Sequence, residues 1–267
     1  MPEGDTVWRT AARLHAALAG DVLIATDFRW PSLAATDLRG ATTMEVVSRG
    51  KHLLHRLDNG WTIHSHLRME GEWSLRRPQP GEIPRDTRVV LTTTNYQALG
   101  RRLGMLDVVR QRDEHTVVGH LGPDVLGGDW DRGRAIENLA GSGDQIGSAL
   151  LDQRNLAGLG TIWVAEALFL QKTDPWTPVS ELSRDDVAAI VDRAQRLIGA
   201  NLHQSVQSST GTTRPGRAFY VHGRAGLECR RCGAVIRSGQ AGAPPNQRLL
   251  PFCPGCQPAW PSSPRAR

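Results

Sequence analysis

The sequence predicts an α+β protein of more than one domain, in which an N-terminal helix and a β-sandwich precede a helical region that ends in a four-cysteine site. Three observations predict this fold. Short β-branched segments fill residues 21–110, helical periodicity replaces them after residue 131, and all four cysteines lie between Cys229 and Cys256. With 267 residues, of which 39% are hydrophobic, the chain is long enough to build two ordinary cores.

Composition narrows the classes of protein that the chain can belong to. No apolar run approaches the roughly 20 residues needed to span a bilayer. The N-terminus carries Asp5 and early arginines where a signal peptide would have an apolar core. We therefore expect a cytoplasmic protein that has no membrane partner. The net charge of +5 suits a polyanionic partner, although many proteins that never bind nucleic acid are equally basic.

The first residues, Met1-Pro2-Glu3, form a candidate active site. Removal of Met1 would leave the secondary amine of Pro2 beside the Glu3 carboxylate. An α-amine has a pKa of roughly 8, well below that of lysine, so more of it is available as free base near neutral pH. The alternative is that Pro2 merely follows the start codon and that Glu3 lies on a frayed terminus.

A helix is predicted directly after these residues, with Asp5 or Thr6 as its N-cap and Gly20 at its end. Its dipole would lower the pKa of the Pro2 amine and favour a phosphate nearby. The apolar stripe of this helix consists of Val7, Ala11, Leu14 and Leu18.

Strands are predicted next, and together they indicate a β-sandwich or a barrel. Lys51 follows the turn Arg49-Gly50, and it is one of two lysines among 32 basic residues. Lysine can exchange a proton whereas arginine effectively cannot, so Lys51 is a candidate for proton transfer, with chance placement as the alternative. The predicted strands cover residues 21–28, 42–48, 51–57, 61–67, 71–76, 88–94 and 105–110.

Three polar residues, His64, His66 and Arg68, alternate along one of these strands. The alternation also fits a strand that shows polar residues on its outer face.

The second half of the chain is predicted to be helical, after a polar and Gly/Pro-rich linker. The last helix has Ser183 as N-cap and Asp186 in the capping-box position. Gly158 and Gly160 precede the third helix, either as a structural turn or as an approach for an anion. Helices are predicted at about 132–139, 145–153, 161–170 and 184–199, and a loop that orders on a ligand at 203–218.

The cysteines form two pairs, Cys229-x2-Cys232 and Cys253-x2-Cys256, separated by 20 residues. This spacing predicts a zinc ribbon with one structural Zn²⁺, because four thiolates complete a tetrahedral shell without an open position. A redox CxxC pair is the alternative. Arginines around the ribbon could bind phosphates, namely Arg230, Arg231, Arg237 and Arg248.

Several separated motifs resemble the DNA glycosylase/AP lyase family of formamidopyrimidine-DNA glycosylase and endonuclease VIII. The resemblance extends from Pro2 to Gln257, and the opening Pro-Glu-Gly is similar to the endonuclease VIII branch. The motifs are Met1-Pro2-Glu3-Gly4, Arg49-Gly50-Lys51-His52-Leu53-Leu54, Gly122-Pro123-Asp124-Val125-Leu126, Leu151-Asp152-Gln153, Ala157-Gly158-Leu159-Gly160, Glu166-Ala167-Leu168-Phe169, Val221-His222-Gly223-Arg224 and the four cysteines.

The resemblance implies a fold, with a helix-two-turn-helix domain between the β-sandwich and the zinc ribbon and with DNA in a cleft. The expected segments are a catalytic domain at 1–112, a linker at 113–131, the helical domain at 132–218, the ribbon at 219–257 and a disordered tail at 258–267.

The resemblance also implies a mechanism. Pro2 attacks the sugar carbon C1′ of a damaged nucleotide, Glu3 acts as general acid and base, and Lys51 assists elimination. Arg248 matches the ribbon arginine that engages phosphates around the lesion and is associated with the second elimination.

Further roles known in the family are assigned to this chain by position in the motifs, and the residues found at those positions differ from the family pattern. The expected DNA contacts fall on Arg68, His120 and Thr161, in places where glutamine, arginine and asparagine are usual. Met69 would either fill the gap left by the flipped base or belong to the core. Thr6 replaces a frequent glutamate, and Asp5 precedes it, so the identity of a second acid stays open.

The function implied is removal of oxidised pyrimidines and nicking of the strand by β/δ-elimination. Two alternatives stay open: an oxidised-purine glycosylase, and a catalytically quiet relative that binds damaged DNA. We expect a monomer that acts on damaged double-stranded DNA, with single-stranded DNA as a further candidate substrate.

Overall fold

The computed structural model describes residues 2–79, 81–242 and 247–259, so Met1 and most of the predicted tail lie outside the described residues. The chain divides into two compact units between His120 and Leu121. The division falls inside the segment 113–131 that the sequence marks as a linker. That segment is not irregular throughout, because residues 115–118 form a short helix.

The first unit contains a long helix followed by strands that form two four-stranded antiparallel sheets. One sheet has the order β2-β3-β4-β8 and the other β1-β6-β7-β5. The elements are α1 Gly4–Leu18, β1 Ala25–Phe28, β2 Thr43–Arg49, β3 His52–Leu57, β4 Trp61–His66, β5 Glu72–Arg76, β6 Thr87–Thr92, β7 Gln97–Arg101, β8 Met105–Arg110 and α2 His115–Val118, with short 3-10 helices at Pro31–Leu33 and Gln111–Asp113.

Both sheets and α1 contribute to one core, which confirms the predicted β-sandwich. Leu18 of α1, Ile63 of β4 and Leu91 of β6 are buried in the same cluster. A hydrogen bond also joins the sheets, because Trp73 Nε1 of β5 donates to Ser65 Oγ of β4 at 3.1 Å. Burial of a tryptophan is favourable when its N–H finds such an acceptor.

Two details of this unit differ from the prediction. Helix α1 starts at Gly4 with Glu3 at the N-cap position, so neither Asp5 nor Thr6 caps it. Strand β7 was absent from the prediction, although it lies between β6 and β5 and pairs with both. A Cβ atom on its Gly100 would lie 2.8 Å from side-chain carbons of Val89 and Leu103, so the packing requires glycine there.

The second unit is built around a helix, α5, that is buried on every side along residues 161–169. The predicted capping box of α6 is confirmed: Asp186 N–H donates to Ser183 Oγ, and Ser183 N–H donates to Asp186 Oδ2, each at 3.1 Å. The elements are α3 Arg132–Ala140, α4 Ile146–Leu151, α5 Thr161–Leu170, α6 Arg184–Gly199, β9 Arg237–Ala241 and β10 Arg248–Phe252, with a 3-10 helix at Val179–Glu181.

The two C-terminal strands form an antiparallel ribbon that shares its core with the helices. Trp176 fixes the ribbon, since its Nε1 donates to the Gln240 carbonyl at 2.8 Å and its ring contacts Phe252 at a centroid distance of 5.1 Å. Gly239 allows this approach, because a Cβ there would lie 2.4 Å from the indole. Among the described residues, no helix is both long and apolar enough to cross a membrane.

Candidate active site and metal centre

The first described residues lie at the positive end of the α1 dipole. Pro2 is half-buried and Glu3 is fully buried. The Glu3 carbonyl accepts the first hydrogen bond of the helix from Val7 N–H at 3.0 Å. The Glu3 carboxylate is therefore withdrawn from bulk water directly beside the proline. A helix N-terminus at this point stabilises negative charge and disfavours a protonated amine.

A second acid, Asp5, lies in the first turn of α1 and is also fully buried. Its Oδ2 is 3.1 Å from Arg9 Nη1, and Arg9 Nη2 donates to Thr6 Oγ1 at 3.1 Å. The carboxylate of Asp5 is thus held by a guanidinium one turn along the same helix. This pairing offsets the cost of burying a negative charge.

Lys51 lies in the two-residue turn between β2 and β3. Arg49 pairs with His52 across this turn, and Gly50 has a φ of 57°, which residues with a Cβ rarely adopt. Lys51 is half-buried. The tight turn fixes where the lysine side chain leaves the backbone.

The alternating histidines do not form a polar outer face, because His64 is fully buried. His64 Nδ1 lies 2.9 Å from Asp107 Oδ2 on β8, and its Nε2 lies 2.7 Å from Nδ1 of His52 on β3. The alternative interpretation, a strand that merely shows polar residues on its outer face, is therefore wrong for His64. His52 and Asp107 were not singled out from the sequence, since 12 and 43 residues separate them from His64.

The turn after β4 presents Arg68 and Met69 to solvent. Arg68 has a positive φ of 54°, and its backbone N–H donates to His66 Nδ1 at 2.9 Å. Met69 is 61% exposed, so its interpretation as a core residue is wrong. His120 is also exposed, and its ring lies 5.9 Å from that of His52 between centroids. Pro2, Glu3, Lys51, Arg68 and His120 thus all belong to the first unit.

Thr161 is the first residue of α5 in the second unit and is buried at 6% exposure. The loop before it is held by Gln153, whose Oε1 accepts from Gly158 N–H at 3.0 Å and whose Nε2 donates to the Leu159 carbonyl at 3.0 Å. Gly158 has a φ of 103°. A side-chain amide therefore shapes the glycine turn that leads into the helix N-terminus.

A buried carboxylate organises the chain that precedes the ribbon. Glu166 of α5 is 0% exposed and accepts hydrogen bonds from the backbone N–H groups of Tyr220, Val221 and His222 at 2.8–2.9 Å, and from the Ser209 hydroxyl. The sequence marks Glu166 as part of a motif without indicating this role. Four donors satisfy one charge, so the carboxylate holds both the 203–218 loop and the start of the Val221-His222-Gly223-Arg224 motif.

Replacing Glu166 with alanine is expected to reduce the free energy of unfolding of the second unit by about 3–5 kcal/mol, because buried donors lose a charged acceptor. Denaturant unfolding measures this change. The control is Glu137→Ala: this side chain is 60% exposed and lies 3.6 Å from Arg184, so the change should stay within about 0.5 kcal/mol. Equal effects of the two substitutions would contradict the proposed anchoring role.

The four cysteines converge as the spacing predicts. Their Sγ atoms lie within 4.8 Å of one another, with Cys229 to Cys256 at 3.8 Å and Cys232 to Cys253 at 3.3 Å, and none forms a disulfide. Arg231 N–H also donates to Cys229 Sγ at 3.4 Å. Four thiols at these distances can surround one metal ion, and the donor set suits a soft or borderline cation.

The arginines of the ribbon divide into two groups. The Arg230 guanidinium donates to the carbonyls of Phe219 and Gly216, and that of Arg231 lies 4.3 Å from the centre of the Phe169 ring. These two side chains have partners within the protein, and both remain exposed, so their binding of phosphates stays a prediction. Arg237 and Arg248 are exposed. Arg248, at the start of β10, donates to the Gln247 carbonyl at 2.9 Å.

Comparison with known proteins matches both halves of the chain. Residues 1–111 match the formamidopyrimidine-DNA glycosylase N-terminal domain, and residues 121–214 match the formamidopyrimidine-DNA glycosylase H2TH domain. A probable endonuclease 8 2 of Streptomyces coelicolor is 46% identical, over 96% of this chain and 94% of that protein. A DNA-(apurinic or apyrimidinic site) lyase Nei2 of Mycolicibacterium smegmatis is 43% identical, over 97% of this chain and all of that protein.

A solved structure shares the fold. Lactococcus lactis formamidopyrimidine-DNA glycosylase, crystallised with DNA that contains an AP site, superposes with a TM-score of 0.82 and covers 97% of this chain and all of that one. The sequence identity of this pair is 24%, so the likeness concerns the fold.

Proposed function

Because the chain belongs to the formamidopyrimidine-DNA glycosylase and endonuclease 8 family, we propose that it is a base-excision repair DNA glycosylase with AP lyase activity. The observation that carries the proposal within the chain is the position of Glu3, fully buried at the N-terminus of α1 directly after Pro2. A carboxylate withdrawn from water next to a secondary amine is suited to proton transfer at the carbon that the amine attacks.

In the proposed reaction, the nitrogen of Pro2 attacks C1′ of the damaged nucleotide. The C1′–N bond to the base breaks, and the base leaves with a proton supplied at the site. The nitrogen gives up its proton, the C1′–O4′ bond opens, and O4′ takes up a proton from Glu3, which leaves C1′ and the Pro2 nitrogen joined as an iminium. The iminium makes the C2′ protons acidic, so β-elimination breaks the C3′–O bond and δ-elimination then breaks the C5′–O bond. Glu3 transfers protons at the sugar, Lys51 assists elimination, and Arg248 binds phosphate and promotes the second elimination.

The DNA contacts are assigned to Arg68, His120 and Thr161. Arg68 and His120 are exposed, which leaves their polar atoms accessible to DNA. Thr161 is buried and would act through its backbone N–H at the N-terminus of α5 rather than through an extended side chain. The damaged nucleotide must leave the base stack to be reached.

We assign one structural Zn²⁺ to Cys229, Cys232, Cys253 and Cys256. Four sulfur ligands leave no open coordination position, so the metal would cross-link the ribbon and take no part in the reaction. The protein would act in the cytoplasm, on the nucleoid of a bacterial cell. Oxidised pyrimidines are the proposed lesions, a preference in keeping with the endonuclease 8 names of the relatives.

Borohydride trapping tests the proposal. Protein with Pro2 confirmed as its N-terminal residue by mass spectrometry should form a covalent adduct with duplex DNA that carries an abasic site or thymine glycol. The matched control is the same protein with Met1 retained, in which the Pro2 nitrogen is an amide and cannot attack. An adduct of equal yield from the control would show that another group is the nucleophile. No adduct from the processed protein would favour the catalytically quiet alternative.

A further inference from the structure

A cluster of four histidines lies in the first unit, and three of them, His52, His64 and His66, have no role in the mechanism above. His52 and His64 lie side by side on β3 and β4, and His66 and His120 contact His52 edge-on at centroid distances of 4.7 Å and 5.9 Å. His52 and His64 are buried, and His120 is exposed. The cluster therefore reaches from the interior of the sandwich to its surface, next to the turns that carry Lys51 and Arg68.

The hydrogen bonds determine where the ring protons lie. A carboxylate can only accept, so the 2.9 Å contact with Asp107 places the proton of neutral His64 on Nδ1. His64 Nε2 then has a lone pair, and the 2.7 Å contact means that His52 Nδ1 donates to it. The second nitrogen of neutral His52, Nε2, is left as a base. Asp107, His64 and His52 therefore form one chain of hydrogen bonds with a single direction.

In neutral His66 the ring proton lies on the other nitrogen than in His64. The Nδ1 atom of His66 accepts the backbone N–H of Arg68 at 2.9 Å, so neutral His66 carries its proton on Nε2. That nitrogen is a donor, and His66 is half-buried. A phosphate oxygen can only accept hydrogen bonds, so a donor on this side of the cluster matches it.

At neutral pH the inner members of the cluster carry no charge. Burial, assisted by the neighbouring histidines and Arg68, lowers the pKa of His52 to about 2, and burial with the charges of Arg68 and Lys51 lowers that of His66 to about 3. Burial also lowers the pKa of His64, against the opposing effect of Asp107. The charged and titratable groups that face the cluster are Lys51, Arg68, Asp107, Glu114 and His120.

An anion bound beside this cluster would make protonation of the histidines more favourable. Cations at Lys51 and Arg68 repel a proton on the histidines, and a bound phosphate would cancel that repulsion and attract the proton. Asp107 and Glu114 already supply negative charge on the His64 side. A phosphate on the Lys51 and Arg68 side and the carboxylates on the His64 side would then both favour one added positive charge.

We propose that Asp107, His64 and His52 form a proton relay that takes up one proton when a DNA phosphate binds beside Lys51 and Arg68. One proton from water binds Nε2 of His52, the Nδ1 proton of His52 moves to Nε2 of His64, and the charge rests on His64 next to the Asp107 carboxylate. His52 ends neutral, with its proton on the other nitrogen. The inference rests on the proposed function, since it requires DNA phosphate at this position.

Calorimetric titration with a duplex that carries a tetrahydrofuran abasic analogue tests the relay, in buffers of different ionisation enthalpy between pH 8 and 5.5. Wild-type protein should take up a number of protons that approaches one per duplex as the pH falls. Its affinity should rise by up to about tenfold per pH unit over the range where uptake is complete.

The decisive variant is Asp107→Asn. The asparagine oxygen can still accept from His64 Nδ1, and the Asp107 side chain is 44% exposed, so folding should survive. Affinity at pH 8 should stay within about twofold of wild type, while proton uptake is lost. The matched control is His55→Asn. His55 is a buried histidine of β3, the strand that carries His52, and it is bonded to Thr43 Oγ1 at 2.8 Å outside the cluster, so its loss should leave proton uptake unchanged.

The possible results distinguish a failure of the proposed function from a failure of the relay alone. No binding by a folded wild-type protein would overturn the proposed function and the relay with it. Binding that weakens with salt but releases and takes up no protons would overturn the relay alone. Proton uptake by Asp107→Asn equal to that of wild type would do the same. Thermal melting at each pH checks that every variant is folded.

Discussion

Replacing Glu3 with glutamine is expected to slow base release from a thymine glycol duplex by about two to four orders of magnitude, the usual contribution of a positioned acid or base. Glutamine keeps the size of the side chain but can neither give up nor take up a proton. The carboxylate is fully buried at the N-terminus of α1, so water cannot readily replace it. Single-turnover kinetics with excess enzyme measure the effect without a contribution from product release.

Binding and folding should be largely preserved in this variant, which separates a catalytic role from a structural one. The duplex affinity of Glu3→Gln should stay within a few-fold of wild type. Glu82, an exposed acid of the same unit, provides the control, and Glu82→Gln should leave the rate unchanged. If base release by Glu3→Gln remained within about threefold of wild type, Glu3 would not be the proton-transfer group.

Cys253→Ser is expected to have the second large effect, a loss of zinc binding and of stability in the ribbon. Cys253 is fully buried among the other three thiols, so its replacement removes one ligand and leaves a hydroxyl in its place. Structural zinc contributes on the order of 10–16 kcal/mol in isolated zinc-finger peptides. The variant should bind less than one zinc per chain by elemental analysis, and its ribbon should become sensitive to limited proteolysis.

The matched control for this experiment is Arg237→Gln. Arg237 begins β9 and is exposed, so it lies in the same ribbon without being a ligand. One tightly bound zinc per chain is expected in the control and in wild type. A Cys253→Ser protein that resists proteolysis as well as wild type would argue against a structural metal, and a wild-type protein that folds without any metal would exclude it.

Interactions between residues that are close in the sequence made much of the fold predictable. The α6 helix begins at its capping box, because Ser183 and Asp186 satisfy each other's backbone within one turn. Helix α5 has the predicted bounds, 161–170, since its apolar run is flanked by Gly160 and polar residues. The cysteine spacing likewise predicted the cluster. In each case, the interactions that decide the structure are close together in the sequence.

Features that depend on distant contacts could not be predicted in this way. Strand β7 has few β-branched residues and exists because β5 and β6 pair with it on both sides. His64 looked like a solvent-facing residue until Asp107 and His52 supplied partners. The Arg230 guanidinium donates to carbonyls 11 and 14 residues away, which the spacing around the cysteines does not indicate. Polar side chains reveal their chemistry in the sequence, whereas their partners are set by tertiary structure.

The loop at 203–218 is closed at its base, and this has a consequence for how the protein can be re-engineered. Asn201 and Ser208 exchange two backbone-to-side-chain hydrogen bonds at 2.8–2.9 Å, and Ser209 N–H donates to the Ala218 carbonyl at 2.9 Å. With both ends fixed, doubling the length of the intervening segment costs only about 0.6 kcal/mol in loop entropy. The length of residues 210–217 can therefore be changed at a small cost in loop entropy, and the contacts that a grafted loop would have to replace include those of the Gly216 carbonyl with Arg230 and of the Thr212 carbonyl with Ser208.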